Sequence, residues 1–395
     1  MKRLISALLI ALLLLSSPGC WDLVELKRIG LVTIVGIDYD TQGDGFEVTV
    51  HIFQPLAGNG QSQGGGDGSS KAILVETIRG QTIMDALRNL RGIAGYHLTF
   101  HHARLLVIGE DLARKGVAPV LDFAMRTREL RINSLLLVCQ GSAKDFLRIQ
   151  LEVSDSLQTK LEGLLDDASL WSKSQSVQIF RFIQELLDPG KQPVATRLLK
   201  LSPEPGNPTP IIDNEEKPAE EVAIIEGLAV FNDDKLVDWL TGTETIGYRY
   251  LTGEGGEMIL VVPWRGAKAS LEVHLNSCSK DVSFSQGIPT FEITLYVSID
   301  LVEYTGYLDV TPDVAEELRN LASQQITGIL ESTVEKAKAL GVDFLGFGGI
   351  VSRRNPRQWA KLNTQWREVF PEIKAKYDIR ADMLMPGLWS EAIPR

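Results

Sequence analysis

Two apolar spacings divide this chain, a period of two in some stretches and of about 3.6 in others, and they predict strands and helices respectively. Phe46, Val48, Val50 and Ile52 alternate against Glu47, Thr49, His51 and Phe53, the pattern of a half-buried strand. The β-rich segment Leu31 to Tyr39 precedes it, with a turn predicted over Thr41 to Gly45. A strand near Ile73 to Ile78 leads to a helix over Thr82 to Arg91, where Ile83, Leu87 and Leu90 share one face. Leu105 to Ile108 reads as a strand, and Asp111 as the cap of a short helix running to Lys115. A helix around Val117 to Arg126 and a strand over Ile132 to Val138 follow. Helical patterns dominate from Ala143 to Lys200, with Trp171, Phe180, Phe182 and Leu186 available for packing.

The second half repeats the alternation on longer runs. Val222 to Phe231 and Lys268 to Leu275 read as strands, and Phe291 to Leu301 sets Phe291, Ile293, Leu295, Val297, Ile299 and Leu301 on one face. Thr311, Pro312 and Asp313 open a long amphipathic helix with the stripe Val314, Leu318, Leu321, Ile329, Val334 and Ala337, ending near Gly341. Ile373, Ala375, Tyr377, Ile379 and Ala381 alternate with charged residues as a last strand. The predicted fold class is α+β, multidomain, with mixed sheets and packed helices and a C-terminal domain of antiparallel sheet plus a long amphipathic helix.

Two segments break the patterning. Residues 58–70 are almost wholly Gly, Ser, Gln, Asn and Asp, a composition that cannot offset its ordering entropy and predicts a mobile loop. Residues 201–221 are rich in proline and acid and predict an extended connector. The expected organisation is therefore a leader over 1–19, an N-terminal α+β region over 20–200, a linker over 201–221 and a C-terminal α+β domain over 222–395. Whether the N-terminal region is one unit or two stays open at this level.

The leader changes the picture most. Met1, Lys2 and Arg3 precede the apolar run Leu4 to Leu15, and Ser16 to Gly19 lead to Cys20. This is the layout of a secretory signal, too short to span a bilayer as an ordinary helix. In a bacterial lipoprotein the cut falls behind the residue corresponding to Gly19, and the cysteine carries S-diacylglyceryl and N-acyl groups. Ser17 stands where a branched or long apolar residue is usual, so an uncleaved anchor and ordinary signal cleavage are the competing readings. All three export the rest of the chain. A formal charge of -11 argues against a nucleic-acid partner and against general adhesion to an acidic membrane. Acyl chains must then do the anchoring, at about 0.8 kcal/mol per buried methylene. The other cysteines, Cys139 and Cys278, lie in strand-like stretches without a metal or redox spacing and read as buried free thiols, with a disulfide between them as the alternative.

Candidate chemistry is sparse. His97, His101 and His102 with Glu110 nearby invite a metal reading, but Gly95, Tyr96 and Thr99 disfavour the helix that would align them, and imidazoles bonded to nearby backbone fit better. No GxSxG elbow is present, and Gly346 to Gly349 lack the Lys and Ser or Thr of a phosphate loop. Arg126, Arg128 and Arg131 beside Glu129 read as an ion-paired surface, with a carboxylate-binding or partner-facing cluster as the alternative. Trp359 and Trp366 fall on one helix face and are expected in the core unless they meet a partner. No cofactor and no catalytic residue is predicted.

Collinear motifs give these pieces a context. Gly19, Cys20, Trp21, Asp22 and Glu25, then Val35 to Asp38, resemble the opening of the Ger(x)C spore germination lipoproteins. The resemblance continues through Phe100 to His102, Val107 to Glu110, Ala113, Gly116, Arg126, Arg128, Glu129 and Arg131. It resumes at Gly227 to Phe231, Lys235 to Val237, Glu244, Thr245 and Gly247, and closes on Glu335 to Ala337, Asp343, Gly346 to Gly348, Trp359, Trp366 and Phe370. Asp238 departs from the glycine common in the family. The resemblance implies a non-catalytic C subunit of a nutrient germinant receptor, on the outer face of the spore inner membrane, beside A and B membrane subunits. A lipid-anchored solute-binding protein of a transporter and an exported hydrolase are the alternatives. The former needs two similar lobes, which the unlike halves do not offer.

Overall fold

The computed structural model describes residues 28–40, 43–54, 73–149, 157–201, 222–306 and 311–383, with the isolated positions Arg3 and Ile5. Cys20, the rest of the leader, the loop 58–70 and the linker beyond Leu201 lie outside the described residues.

The expected hairpin forms from β1 (Ile29–Asp40) and β2 (Gly45–Phe53), and β3 (Ile73–Gly80) extends it antiparallel. Helix α1 (Ile83–Ile93) starts where the Thr82 hydroxyl accepts from the Asp85 amide, and it buries Ile83, Ala86, Leu87 and Leu90. The chain returns as β4 (His97–Thr99) and β5 (Leu105–Gly109), both parallel to β1. Every residue of β5 is buried, as befits a strand covered on both faces. Helices α2 (Glu110–Lys115) and α3 (Ala118–Arg126) then lead to β6 (Leu135–Cys139). Gly109, not Asp111, holds the N-cap of α2, and Asp111 stands in its first turn, where a carboxylate faces the positive helix end. Strand β6 begins later than expected because Ser134 donates its amide to the Arg131 carbonyl in a turn.

After β6 come α4 (Ala143–Leu147), α5 (Leu157–Asp166), α6 (Ala168–Trp171), α7 (Ile179–Leu186) and β7 (Val194–Leu201). The end of the stretch expected to be helical is thus a strand. Its residues satisfy either period, and pairing to β6 on one side and β8 on the other decides the outcome. Strands β8 (Val222–Asn232) and β9 (Lys235–Leu240) complete a nine-stranded sheet A, ordered β3-β2-β1-β5-β6-β7-β8-β9 with β4 beside β1. The strands flanking the linker therefore pair with each other, and sheet A draws its last two members from beyond it. On one face α1, α2 and α3 seal the sheet; on the other, Phe146, Leu147, Leu157, Leu161 and Leu165 pack on Ile34, Val107, Leu137 and Ile225.

Helix α8 (Gly242–Thr252) opens with a full capping box between Thr241 and Glu244. Sheet B follows as β10 (Glu257–Trp264), β11 (Ala267–Ser285), β12 (Ile288–Tyr304) and, at its far edge, β13 (Lys374–Met383). The first three are antiparallel, whereas β13 joins β12 in parallel because the helices between them form a crossover. Those helices are α9 (Pro312–Leu340), α10 (Phe347–Arg354), α11 (Pro356–Leu362) and α12 (Trp366–Val369). Thr311 caps α9, and Gly341 ends it in the left-handed region at φ 64°. Its buried line runs through Val314, Leu318, Ala322, Ile326, Leu330, Val334 and Ala337, with Leu321 and Ile329 only partly buried. The line drifts from the expected one because the helix meets β13 and then α8, where Gly247 has no room for a Cβ beside Thr333.

Candidate functional site

The seam between the halves concentrates the buried polar chemistry of this chain. Behind Gly341 the sequence Val342 to Gly349 turns sharply into α10, with Gly346 in the left-handed region at φ 75°. Inside that turn the Asp343 carboxylate accepts from the amides of Phe347 at 3.0 Å and Gly348 at 2.7 Å, and from Trp366 Nε1 at 3.0 Å. Burial pushes its pKa up to about 6, against the pull of those donors. The Asp343 carbonyl meanwhile accepts from the Gln192 amide at 2.8 Å, and the Gly349 amide donates to the Gly190 carbonyl at 3.1 Å. One short peptide thus organises the C-terminal turn through a side chain and holds the N-terminal half through its backbone.

Four further ties surround it. Lys191 meets Glu185 at 2.6 Å and lies 3.5 Å from the Tyr248 hydroxyl; burial pulls the ammonium down, but Tyr248 and Glu185 carry its pKa above the ordinary value. Arg249 of α8 is buried and donates to the carbonyls of Ala168 at 2.9 Å, Ser174 at 2.5 Å and Glu254 at 2.9 Å. Arg181 of α7 grips Glu254 through two nitrogens at 2.8 and 2.6 Å. Asp238 pairs with Lys336 of α9 at 2.5 Å, which holds its carboxyl below the ordinary value although burial opposes this.

A crevice of about 280 Å³ opens along the seam, lined among others by Lys191, Gln192, Asp233, Asp343 and Arg367. Arg367 reaches across to pair with Asp233 in the β8–β9 turn. Lys191 and Arg367 are held by carboxylates, and Asp343 by backbone amides and an indole, so the seam is chemically a joint. Among the described residues no group of three or more His, Cys, Asp or Glu side chains is placed to hold a metal ion. No helix of the described residues is long and apolar enough to cross a membrane.

The residues singled out from the sequence fall in separate places. Cys20 lies outside the described residues. His97, His101 and His102 are exposed at one end of sheet A, while Glu110 turns to Arg114 at 2.7 Å and the Gly141 amide at 3.1 Å. Arg126 pairs with Asp122, and Glu129 with Arg91. Arg128 and Arg131 are exposed. Trp359 and Trp366 are buried against each other edge-on at 5.5 Å, in the seam's aromatic cluster with Phe370. Cys139 and Cys278 are free thiols in different sheets; burial, first of all, pushes both pKa values up.

Two carboxylates carry roles that the sequence reading did not assign. Besides Asp343, Asp38 at the end of the Val35 to Asp38 motif accepts from the amides of Ala143 and Lys144, each at 2.8 Å, and so caps α4 from another strand. Burial raises its pKa too. Both belong to motif clusters quoted above, but a cap supplied from far along the chain leaves no local spacing to read.

Two family models match the chain in order. One described as Spore germination protein N-terminal domain covers residues 22–199, and one described as Spore germination B3/GerAC like, C-terminal covers residues 226–387. The chain is similar to Spore germination protein KC of Bacillus subtilis (strain 168), 27% identical over 393 residues that cover 96% of this chain and 95% of that protein. It is also similar to Spore germination protein B3 of the same organism, at 21% identity over 93% of this chain and 94% of that one. The solved structure titled Crystal Structure of the GerBC protein shares the fold, with a TM-score of 0.57 at 18% identity over 89% of this chain and 96% of that one.

Proposed function

The chain belongs to the GerAC-like family of spore germination proteins, and on that premise we propose that it is the non-catalytic C subunit of a germinant receptor, anchored by acyl groups on Cys20. The observation that carries this reading is the collinear pair of family matches, the first of which opens at Asp22, directly behind Gly19, Cys20 and Trp21. Cleavage behind Gly19 would leave the matched region intact and its first residue acylated. The subunit then sits on the outer face of the spore inner membrane beside A and B membrane subunits and supports receptor assembly or signal coupling. The seam supports a mechanical role, since Arg249, the Arg181–Glu254 pair and the backbone bonds of Asp343 and Gly349 tie the two halves together.

Membrane fractionation of spores with Cys20 or Cys20→Ala tests the reading. Retention and uptake of a labelled acyl chain are expected for the first and loss of both for the second, together with a weaker nutrient response and loss of co-purification with the A and B subunits. Retention and receptor assembly unchanged by Cys20→Ala would overturn it.

A further inference from the structure

The net charge of -11 hides a local reversal at one end of sheet A. In the parallel part of the sheet the helices run back against the strands, so the C-terminal ends of α1 and α3 reach the edge where β4, β5 and β6 begin. The segments there are stitched together: Arg91 pairs with Glu129 at 2.8 Å, the Ser134 hydroxyl donates to the Ala103 carbonyl at 2.8 Å, and the Phe180 amide donates to the Ile132 carbonyl at 2.9 Å. This end exposes large apolar side chains that the core does not claim, Ile93 at 65%, Met125 at 60%, Ile132 at 48% and Phe180 at 47%. Singly exposed apolar residues are ordinary; several at one end of a domain are not.

Arginine and histidine surround them. Arg91, Arg104 and Arg126 are matched by Glu129, Glu162 and Asp122, but Arg128 and Arg131 are exposed and, among the described residues, form no ion pair. His97, His101 and His102 are exposed at the same edge. Exposed apolar groups flanked by uncompensated arginines match an interface whose surface is anionic and whose interior is apolar.

The position of this edge selects the partner. Ile29, the first residue of β1, is in register with His97, so the chain enters the fold at this end. Ile29 stands nine positions after Cys20, a stretch that even fully extended spans only about 30 Å. We propose that this end of sheet A is a docking face for anionic lipid headgroups, with Arg128 and Arg131 at the phosphates and Ile93, Met125, Ile132 and Phe180 entering the headgroup layer. This rests on the Cys20 anchor proposed above, which brings the face to the bilayer. The anchor confines the protein, and the face orients it, setting sheet A end-on to the membrane.

The test uses a tether independent of natural acylation. Residues 21–395 with Cys139→Ala and Cys278→Ala are joined at Trp21 to a synthetic diacyl anchor, and an environment-sensitive dye is placed at Ile132→Cys or, as a control, at Val261→Cys of β10, exposed to 53%. On vesicles containing phosphatidylglycerol, the dye at 132 shifts to the blue and the dye at 261 does not. With R128Q/R131Q the ratio of docked to undocked protein falls roughly tenfold to thirtyfold while the protein stays on the vesicles. Both arginines are exposed, so the unfolding midpoint is expected to hold. An unshifted dye at 132, an equal shift on neutral phosphatidylcholine, or a shift that appears only when the other receptor subunits are added would overturn the proposal. Failure of the anchor itself shows elsewhere, as Cys20→Ala protein retained in spore membranes.

Discussion

Gly190 and Gly348 lie backbone to backbone: a Cβ on Gly190 would stand 2.7 Å from the carbonyl carbon of Gly348, and one on Gly348 would stand 2.8 Å from the Cα of Gly190. No flexible side chain intervenes, so neither clash can be relieved by a rotamer change. The halves of the protein meet here as bare peptide.

Gly190→Ala is therefore expected to destabilise the protein by about 1–3 kcal/mol, the usual cost of forcing a methyl group into packed space. Hydrogen exchange should quicken at the amides of Gln192 and Gly349, which bridge the seam. Unchanged exchange at both would show that the backbone contact does not hold the halves.

Asp343 makes a pH prediction of unusual sign. Its pKa of about 6 in the fold lies above the ordinary 3.8. Between these values the native state keeps a proton that the unfolded state has lost, so this group's contribution to stability is fully present below about pH 4 and is lost as pH rises to about 6. Urea midpoints of the wild type and Asp343→Asn should therefore diverge, the wild type losing on the order of 2 kcal/mol relative to the variant from pH 4 to pH 7. A difference independent of pH refutes the assignment.

Arg249→Met keeps much of the side-chain volume and removes the guanidinium donors to the carbonyls of Ala168, Ser174 and Glu254, of which Ala168 keeps the Ser172 amide. Leaving buried acceptors unpaired costs about 1–3 kcal/mol each, and a loss of about 3 kcal/mol is expected in denaturant unfolding. A change under 1 kcal/mol would mean that water replaces the guanidinium.

The thiols give a chemical readout. Cys139 is buried and its pKa is raised by burial and by the Asp38 charge, so it should resist a disulfide reagent in the native state and react on unfolding. Cys278, only partly buried, should react sooner. Equal native rates would contradict the burial of β6.

Much of the fold is legible locally. Thr82, Thr311 with Pro312, and Gly341 each mark a helix end because capping involves residues a few positions apart. Alternation over Phe46 to Phe53 and Phe291 to Leu301 marks strands for the same reason. Val194 to Leu201 was not legible, since its residues satisfy a helix as well as a strand until β6 and β8 present their backbones. The arginines around Glu129 read as surface, and so they are, yet the exposed apolar residues beside them come from α1, α3 and α7 and share an end only after folding.

By itself the amino-acid sequence determined the α+β alternation, the bounds of the long helix and the family motifs in their order, and Cys20 with its leader carries the expectation of export. Only the tertiary structure decided what those motifs do: that Asp343 is a buried cap holding a turn, that Asp38 caps a helix from a distant strand, and that Gly190 must be bare because Gly348 lies against it. The division has a physical reason. Caps and periodicity act through neighbours along the chain, whereas burial, close backbone approach and the pairing of charges depend on residues that meet only when the sheets pack.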